Sequence, residues 1–419
     1  MREGVFPSSI LVVAPHPDDE TLGAGGMIAQ AAAAGSAVHV ALLTSGDGFR
    51  QDAERYYLAL EVTPAEYMHL AYERQAETIR AMARLGVPAH QVHFLGFPDG
   101  GLDTLLLAAW DGEPWESPTT RARQVPYVNA YDPAQPYLGL ALLEVLGRLT
   151  DQVRPALTIM PHPLDQHPDH WAAGAFATLA VARAASAGEP WAVQAQRWGY
   201  LVHWPAWPMP PAYRPDWPQM PPPQFSATGL TPWQEVALES RTVLDKREAL
   251  MAYDSQVELI KPFLLAFARR SEVFHPDADL WLVNGRGRWL VPPMDRVTRW
   301  LKRDNVVRAV QLDWQPGGMR LEVRTAKPWQ EAWRLRVSGH LLLAATVYDW
   351  WWPPAGKGEA PAGAEVTKGV TGAHVTWAEG WPASGGVMVG VQIWDGDRLI
   401  GRSPLRVVRW SGDGGGPSG

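Results

Sequence analysis

The run Ile10-Leu11-Val12-Val13-Ala14 carries no polar side chain and stops at Pro15. Consecutive apolar residues bounded by a turn signal mark a strand buried on both faces, which requires a sheet covered by helices on both sides. The chain that follows keeps to that requirement. Helix-period segments at 21–34, 65–85, 138–153 and 172–185 alternate with short apolar runs at 38–43, 92–97, 156–160 and 198–202. Gly35 closes the first helix, and Gly86 with Pro88 stops the second. The alternation predicts an α/β fold: a Rossmann-like, mainly parallel sheet flanked by helices, with right-handed crossovers. Sheets of this kind hold their ligands beyond the carboxyl ends of the strands.

Two irregular stretches, 100–136 and 203–232, interrupt the alternation. The second contains Trp204-Pro205-Ala206-Trp207-Pro208-Met209-Pro210-Pro211, where proline forbids helix and sheet interior alike. Long loops of this kind serve as lids or binding rims, or wrap the surface as polyproline segments; both readings stand. Helices are expected at 233–252 and 255–270. From about residue 305 the apolar period changes to two, most strictly in Met319-Arg320-Leu321-Glu322-Val323-Arg324. That pattern, with the Asp395-Gly396 hairpin signal, predicts a C-terminal all-β sandwich of about seven strands. The expected organisation is an α/β domain over 1–303, a sandwich over 304–410 and a Gly-rich disordered tail over 411–419.

Composition narrows the chemistry. With 37 basic against 44 acidic residues, a net charge of -7, the chain lacks the basic face of a nucleic-acid protein. No run reaches the roughly 18 apolar residues of a transmembrane segment. The first apolar stretch is followed too soon by acids to be a signal peptide, so the chain reads as cytoplasmic. Cysteine is absent, so any metal must be held by His, Asp or Glu, which points to zinc or another divalent ion.

Such residues are concentrated in two places. Pro15-His16-Pro17-Asp18-Asp19-Glu20 directly follows the first strand, and His16 and Asp19, three apart in a turn, can converge on one ion. Alone, the motif could also be an acidic turn in which Asp18 or Asp19 caps the next helix. The second cluster, Pro161-His162-Pro163-Leu164-Asp165-Gln166-His167-Pro168-Asp169-His170, follows the strand at 156–160. Two His/Asp clusters at strand ends can meet in space, although 154 positions separate His16 from His170. A metal with three protein ligands and a free carboxylate that takes the proton of its water would suffice for a hydrolytic site.

The paired motifs resemble those of the LmbE/PIG-L-like zinc-dependent de-N-acetylases, A-H-P-D-D-E and H-x-D-H. Here they stand as Pro15-His16-Pro17-Asp18-Asp19-Glu20 and His167-Pro168-Asp169-His170, with proline in place of the usual alanine. The likeness extends through Gly25-Gly26, Arg74 with Glu77, Phe94-Leu95-Gly96-Phe97-Pro98-Asp99-Gly100 and a helical stretch from Lys246 to Gln256. It covers about residues 8–275 and leaves out the sandwich. Members remove acetyl from N-acetylglucosaminyl substrates, including mycothiol and bacillithiol precursors and the GPI-anchor lipid. The resemblance implies Zn2+ held by His16, Asp19 and His170, with Asp18 as general base on the water. It implies His167 as the cation that stabilises the oxyanion and protonates the amine, oriented by Asp169. Arg74 and Asp99 match residues that hold sugar hydroxyls, and could equally be structural ion-pair residues. The implied partner is a small-molecule or glycoconjugate substrate with an N-acetylated sugar. The alternatives are a zinc amidohydrolase on another acyl amide, and a saccharide-binding protein on an inactive scaffold.

Other features carry less. Gly23-Ala24-Gly25-Gly26 lacks the G-x-G-x-x-G spacing of a dinucleotide site and follows an acidic turn. His203 reads as a structural histidine rather than a pocket residue, and Glu272 as a partner of Arg269 or Arg270. The triplet Trp350-Trp351-Trp352 reads as packing rather than a sugar platform. Trp110, Trp115, Trp204, Trp207 and Trp217, brought by the long loops, are expected to offer flat surfaces to a sugar or aglycone.

Overall fold

A computed structural model describes residues 6–57, 61–228, 232–293, 305–315, 318–343, 347–352, 365–369, 372–377 and 385–411. The chain divides into two compact units, Met1–Pro222 with Thr231–Asp277, and Pro223–Leu230 with Ala278–Gly419. The expected boundary at 303/304 and all but the first residue of the expected tail lie outside the described residues.

The first unit runs β1 (Ser9–Ala14), α1 (Asp19–Ala33), β2 (Ala37–Thr44), α2 (Arg50–Tyr56), α3 (Pro64–Arg84), β3 (Val92–Phe97), α4 (Leu102–Leu107), α5 (Gly139–Val153), β4 (Leu157–Pro161), α6 (Pro168–Ser186), α7 (Pro190–Gln194), β5 (Gln196–Tyr200), β6 (Gln234–Ala237), α8 (Ser240–Leu250), α9 (Asp254–Leu265) and β7 (Ser271–Asp277). Its sheet has the order β3-β2-β1-β4-β5-β7-β6. The five strands β1 to β5 run parallel, and β7 and β6 close one edge antiparallel. The fully apolar β1 sits at the centre, with Leu11, Val12, Val13 and Ala14 inaccessible to solvent. Met27 of α1, Met82 of α3 and Phe274 of β7 join them among the buried residues of this unit.

Local sequence sets the helices that reach the site. Thr63 and Glu66 form a reciprocal capping box at the start of α3, with Pro64 in its first turn. The buried face of α3 is apolar at Leu70, Ala71, Ala81 and Met82 and polar between them, at Arg74, Gln75, Glu77 and Thr78. The glycines of α1 serve packing: a Cβ on Gly23 would meet the Tyr200 ring at 2.2 Å, and one on Gly26 would meet Leu238 at 2.3 Å.

Two expectations need correction. The segment expected to be one helix at 233–252 is strand β6 followed by helix α8, because residues 234–237 pair with β7 at the sheet edge. Glu272 is not the partner of Arg269 or Arg270. Its carboxylate lies 2.6 Å from Nζ of the buried Lys246 and accepts the N–H groups of Gly26 and Met27. Arg269 donates instead to the carbonyls of Ala266, Met209 and Pro210.

The second unit holds β8 (Leu280–Trp281), β9 (Arg286–Leu290), β10 (Val307–Gln315), β11 (Gly318–Thr325), β12 (Trp333–Leu341), β13 (Val347–Trp352), β14 (Glu365–Gly369), β15 (Gly372–Trp377), β16 (Gly385–Asp395), β17 (Arg398–Arg402) and β18 (Arg406–Trp410). They form sheets of order β14-β15-β11-β10-β9 and β13-β12-β16-β18-β8, with β17 on β16. All pairs are antiparallel except β18 with β8. Burial alternates along β11 as the sequence pattern requires, with Met319, Leu321 and Val323 inside. The strands outnumber the expected seven and begin upstream of 304.

Candidate active site

Strand order reverses between β1 and β4, which pair in parallel with Ile10 opposite Leu157. Ligands in such sheets bind at this reversal. Both His/Asp clusters leave the carboxyl ends of these neighbouring strands, so the chain separation between them collapses to contact. Asp19 Oδ2 lies 3.0 Å from His16 Nδ1 and 3.0 Å from His170 Nε2. Asp19 is 2% exposed and His170, in the first turn of α6, is fully buried.

His16, Asp19 and His170 could hold a divalent ion between them. Bonds of about 2.0–2.1 Å in a tetrahedral site leave ligand atoms about 3.3 Å apart. Two imidazoles and a carboxylate suit zinc or a similar divalent ion. Three overlapping sets have donor atoms within 4.8 Å of one another: His16, His167 and His170; Asp19, His170 and His203; and His16, Asp99 and Asp169. On His16 and His170 burial opposes charge, but neighbouring carboxylates prevail. Asp99, Asp169 and Asp19 hold His16 well above its usual value, and Asp19 and Asp165 bring His170 to about 9. Asp19 is held well below the usual carboxylate range against its burial, by His170 and His16.

A ring of carboxylates orients these groups from outside, as at metal sites generally. Asp165 Oδ2 lies 3.4 Å from His170 Nδ1 and accepts the N–H groups of Val202 and His203; its Oδ1 accepts that of His167. Asp169 Oδ2 and Asp99 Oδ1 each lie 3.1 Å from His16 Nε2. Asp169 also accepts the N–H groups of Gly100 and Leu102, tying the loop after β3 to α6. Its carboxylate therefore serves His16. Only its backbone reaches His167, by donating N–H to Nδ1 at 3.2 Å.

Asp18 takes the N-cap position of α1 without a side-chain cap bond, so helix capping does not explain it. Its φ of 110° lies in a region that residues other than glycine rarely adopt, a strain characteristic of functional positions. Its N–H donates to Glu20 Oε2 at 3.2 Å, and Glu20 is itself held by the hydroxyls of Thr21 and Tyr253. Burial and the charges of Asp19 and Glu20 push the Asp18 carboxyl well above its usual value, with Arg74 and His16 opposing. Arg74 is 3% exposed and donates to the carbonyls of Pro17 and Gly46, both at 2.9 Å. A Cβ on Gly46, where φ is 73°, would meet that guanidinium at 2.1 Å. Arg74 thus braces the two turns beside Asp18.

His167 caps α6 and stands 5.0 Å, ring to ring, from His16. Burial and the neighbouring His16, His170 and His203 lower its pKa to about 2. With Nδ1 occupied by the Asp169 N–H, the neutral ring carries its proton on Nε2.

Around these groups lies a cavity of about 870 Å³, part of it open to solvent. His16, Asp18, Asp19, Arg74, Asp99, His167 and Gln256 line it, and so does His203, a pocket residue rather than the structural histidine expected. None of the five tryptophans expected on the rim lines it. Trp110 is buried and stacks on Phe176, Trp204 is 4% exposed, Trp207 packs on Phe267, and Trp115 covers Gly101. The aromatic lining is Phe49 and Phe263. Sequence reasoning gave no weight to Asp165 or the Tyr253–Glu20 pair; the position of Asp165 inside the second cluster was the available signal. Among the described residues no helix is long and apolar enough to cross a membrane.

Residues 11–181 match the family profile described as PIG-L, GlcNAc-PI de-N-acetylase. A 1D-myo-inositol 2-acetamido-2-deoxy-alpha-D-glucopyranoside deacetylase of Mycobacterium sp. (strain KMS) is 34% identical over 177 residues, 42% of this chain and 50% of the relative. The enzyme of the same name from Rhodococcus jostii is 33% identical over 198 residues, 45% of this chain and 60% of the relative. The chain thus spans about half the length of the curated relatives it matches. Among solved structures, a conserved protein of Thermus thermophilus is 25% identical with a TM-score of 0.40, covering 65% of this chain and 95% of that one.

Proposed function

We propose, for a chain that carries a PIG-L family domain at residues 11–181, that it is a zinc-dependent hydrolase removing acetyl from an N-acetylglucosamine-containing substrate. The observation that supports this most is the position of Asp19 Oδ2, 3.0 Å from both His16 and His170, beside a cavity lined by Asp18 and His167. His16, Asp19 and His170 would hold the ion. When bound, it supplies positive charge that makes an amide carbonyl electrophilic and a water acidic. Asp18 takes the proton of the attacking water, and its place in the cavity leaves it within reach of the acetamide. The Nε2–H of His167 hydrogen-bonds the oxygen of the tetrahedral intermediate. Since His167 Nδ1 is occupied, the proton that Asp18 accepts is the one returned to the departing amine. Asp99 and Gln256 face the sugar, and Arg74 acts by positioning Asp18. The test is acetate release from N-acetylglucosaminides by zinc-loaded protein, against simple N-acetyl amino acids. Equal rates on both would leave only a general zinc amidase.

A further inference from the structure

We infer that the sugar this site accepts carries an apolar substituent, aryl or alkyl, rather than a polyol; the inference rests on the deacetylase reading above. One wall of the cavity is apolar and comes from two segments. Phe49 leads into α2, and Ile260 and Phe263 stand on α9, all three half-buried. Helix α9 breaks at Ile260 (φ −128°, ψ 23°), two residues before Pro262. Leu264 enters the core behind this break, while Ile260 and Phe263 line the cavity. Phe263 is held in place: its ring lies within 18° of parallel to His203 and edge-on to Phe267 at 5.2 Å. It presents a fixed apolar surface beside the catalytic groups.

Two of the cavity's polar groups, by contrast, are already engaged. Arg74 serves the carbonyls of Pro17 and Gly46, and Asp99 serves His16 Nε2 and the N–H of Gly48. A polyol aglycone would bring hydroxyls to a wall that cannot pair them, each costing about tenfold in affinity. A phenyl or alkyl group against Phe49 and Phe263 loses nothing polar and gains contact area of the kind that aromatic pairs favour.

The test compares kcat/KM for acetate release from phenyl and octyl N-acetylglucosaminides, N-acetylglucosaminyl-inositol and free N-acetylglucosamine. A second arm varies the acyl group on glucosamine from acetyl to hexanoyl. Calorimetric binding of the same glycosides to Asp18→Asn protein is read alongside. Wild-type protein should favour the phenyl over the inositol glycoside by about tenfold or more, and that ratio should fall towards one in Phe263→Ser. Phe49→Ser, on a loop outside the core, should lower it too and guards against misfolding of the first variant. A preference for hexanoyl over acetyl, with none for phenyl over inositol, would overturn the inference by placing the apolar group on the acyl side. Equal or better use of the inositol glycoside would overturn the inference while leaving deacetylation intact. No acetate from any sugar, with the phenyl glycoside still bound tenfold more tightly, would overturn the deacetylase reading and uphold the selectivity of the wall. Equal binding of phenyl and inositol glycosides would overturn the inference whatever the activity.

Discussion

Arg74→Lys separates two roles for one residue. The resemblance implies a contact with sugar hydroxyls, whereas the structure has the guanidinium donating to Pro17 and Gly46 from a site only 3% exposed. A guanidinium forks to two carbonyls; an ammonium at the end of a thinner stem serves one of them from the same place. The change forfeits one charge-assisted hydrogen bond and leaves a buried carbonyl unpaired, a loss of about 2–3 kcal/mol. For a unit of this size that lowers Tm by about 4–12 °C. The Pro17 carbonyl adjoins Asp18, so relaxation of the strained turn displaces the proton acceptor. A displacement near 1 Å costs about 100-fold in kcat. Thermal denaturation, zinc content and steady-state acetate release measure all three. The expected pattern is lower Tm, retained zinc, and a fall in kcat larger than any rise in KM. Wild-type Tm with unchanged kcat and a raised KM for sugars alone would refute the bracing role and restore the sugar contact.

Three further outcomes follow from the same geometry. His170→Ala and Asp19→Ala should each remove zinc while circular dichroism shows the fold intact; elemental analysis with unchanged zinc in both would defeat the ligand set. Asp18→Asn should keep zinc and lose about 100-fold or more in turnover, since an amide does not accept the water's proton; loss of metal instead would make Asp18 a ligand. Far from the site, burial and the charges of His39 and His90 lower His93 from 6.5 to about 4. The unfolded chain therefore binds this proton at higher pH than the folded one, and stability is lost as pH falls from 6.5 towards 4. Denaturant titrations across that window should show a shallower loss in His93→Gln, and an unchanged slope would count against the shift.

The parallel sheet was legible because its strands are short and apolar and its helices end at glycine or proline. The two clusters were legible because β1 and β4 deliver them to one place, and a ligand site at strand ends follows from the fold alone. What escaped were features created by tertiary pairing. Strand β6 has no apolar alternation of its own and exists through β7, so the segment looked helical. Glu272 finds Lys246 across 26 positions, where nearby arginines were the obvious partners. His203 looked structural because nothing in sequence shows that β5 ends beside β4. Tryptophan in Pro-rich loops suggested a sugar platform, yet most of the rings are used to pack the loops themselves, and the cavity is lined by phenylalanine instead.

The clusters after β1 and β4 are proposed to form one metal-dependent site that hydrolyses the acetamide of an amino sugar. Acetate release from phenyl N-acetylglucosaminide, followed through chelation and stoichiometric return of zinc, tests it most directly. Activity is expected to vanish on chelation, to return near one zinc per chain, and not to return in Asp19→Ala. Zinc bound at that stoichiometry with no acetate released, or release that survives chelation, would contradict it.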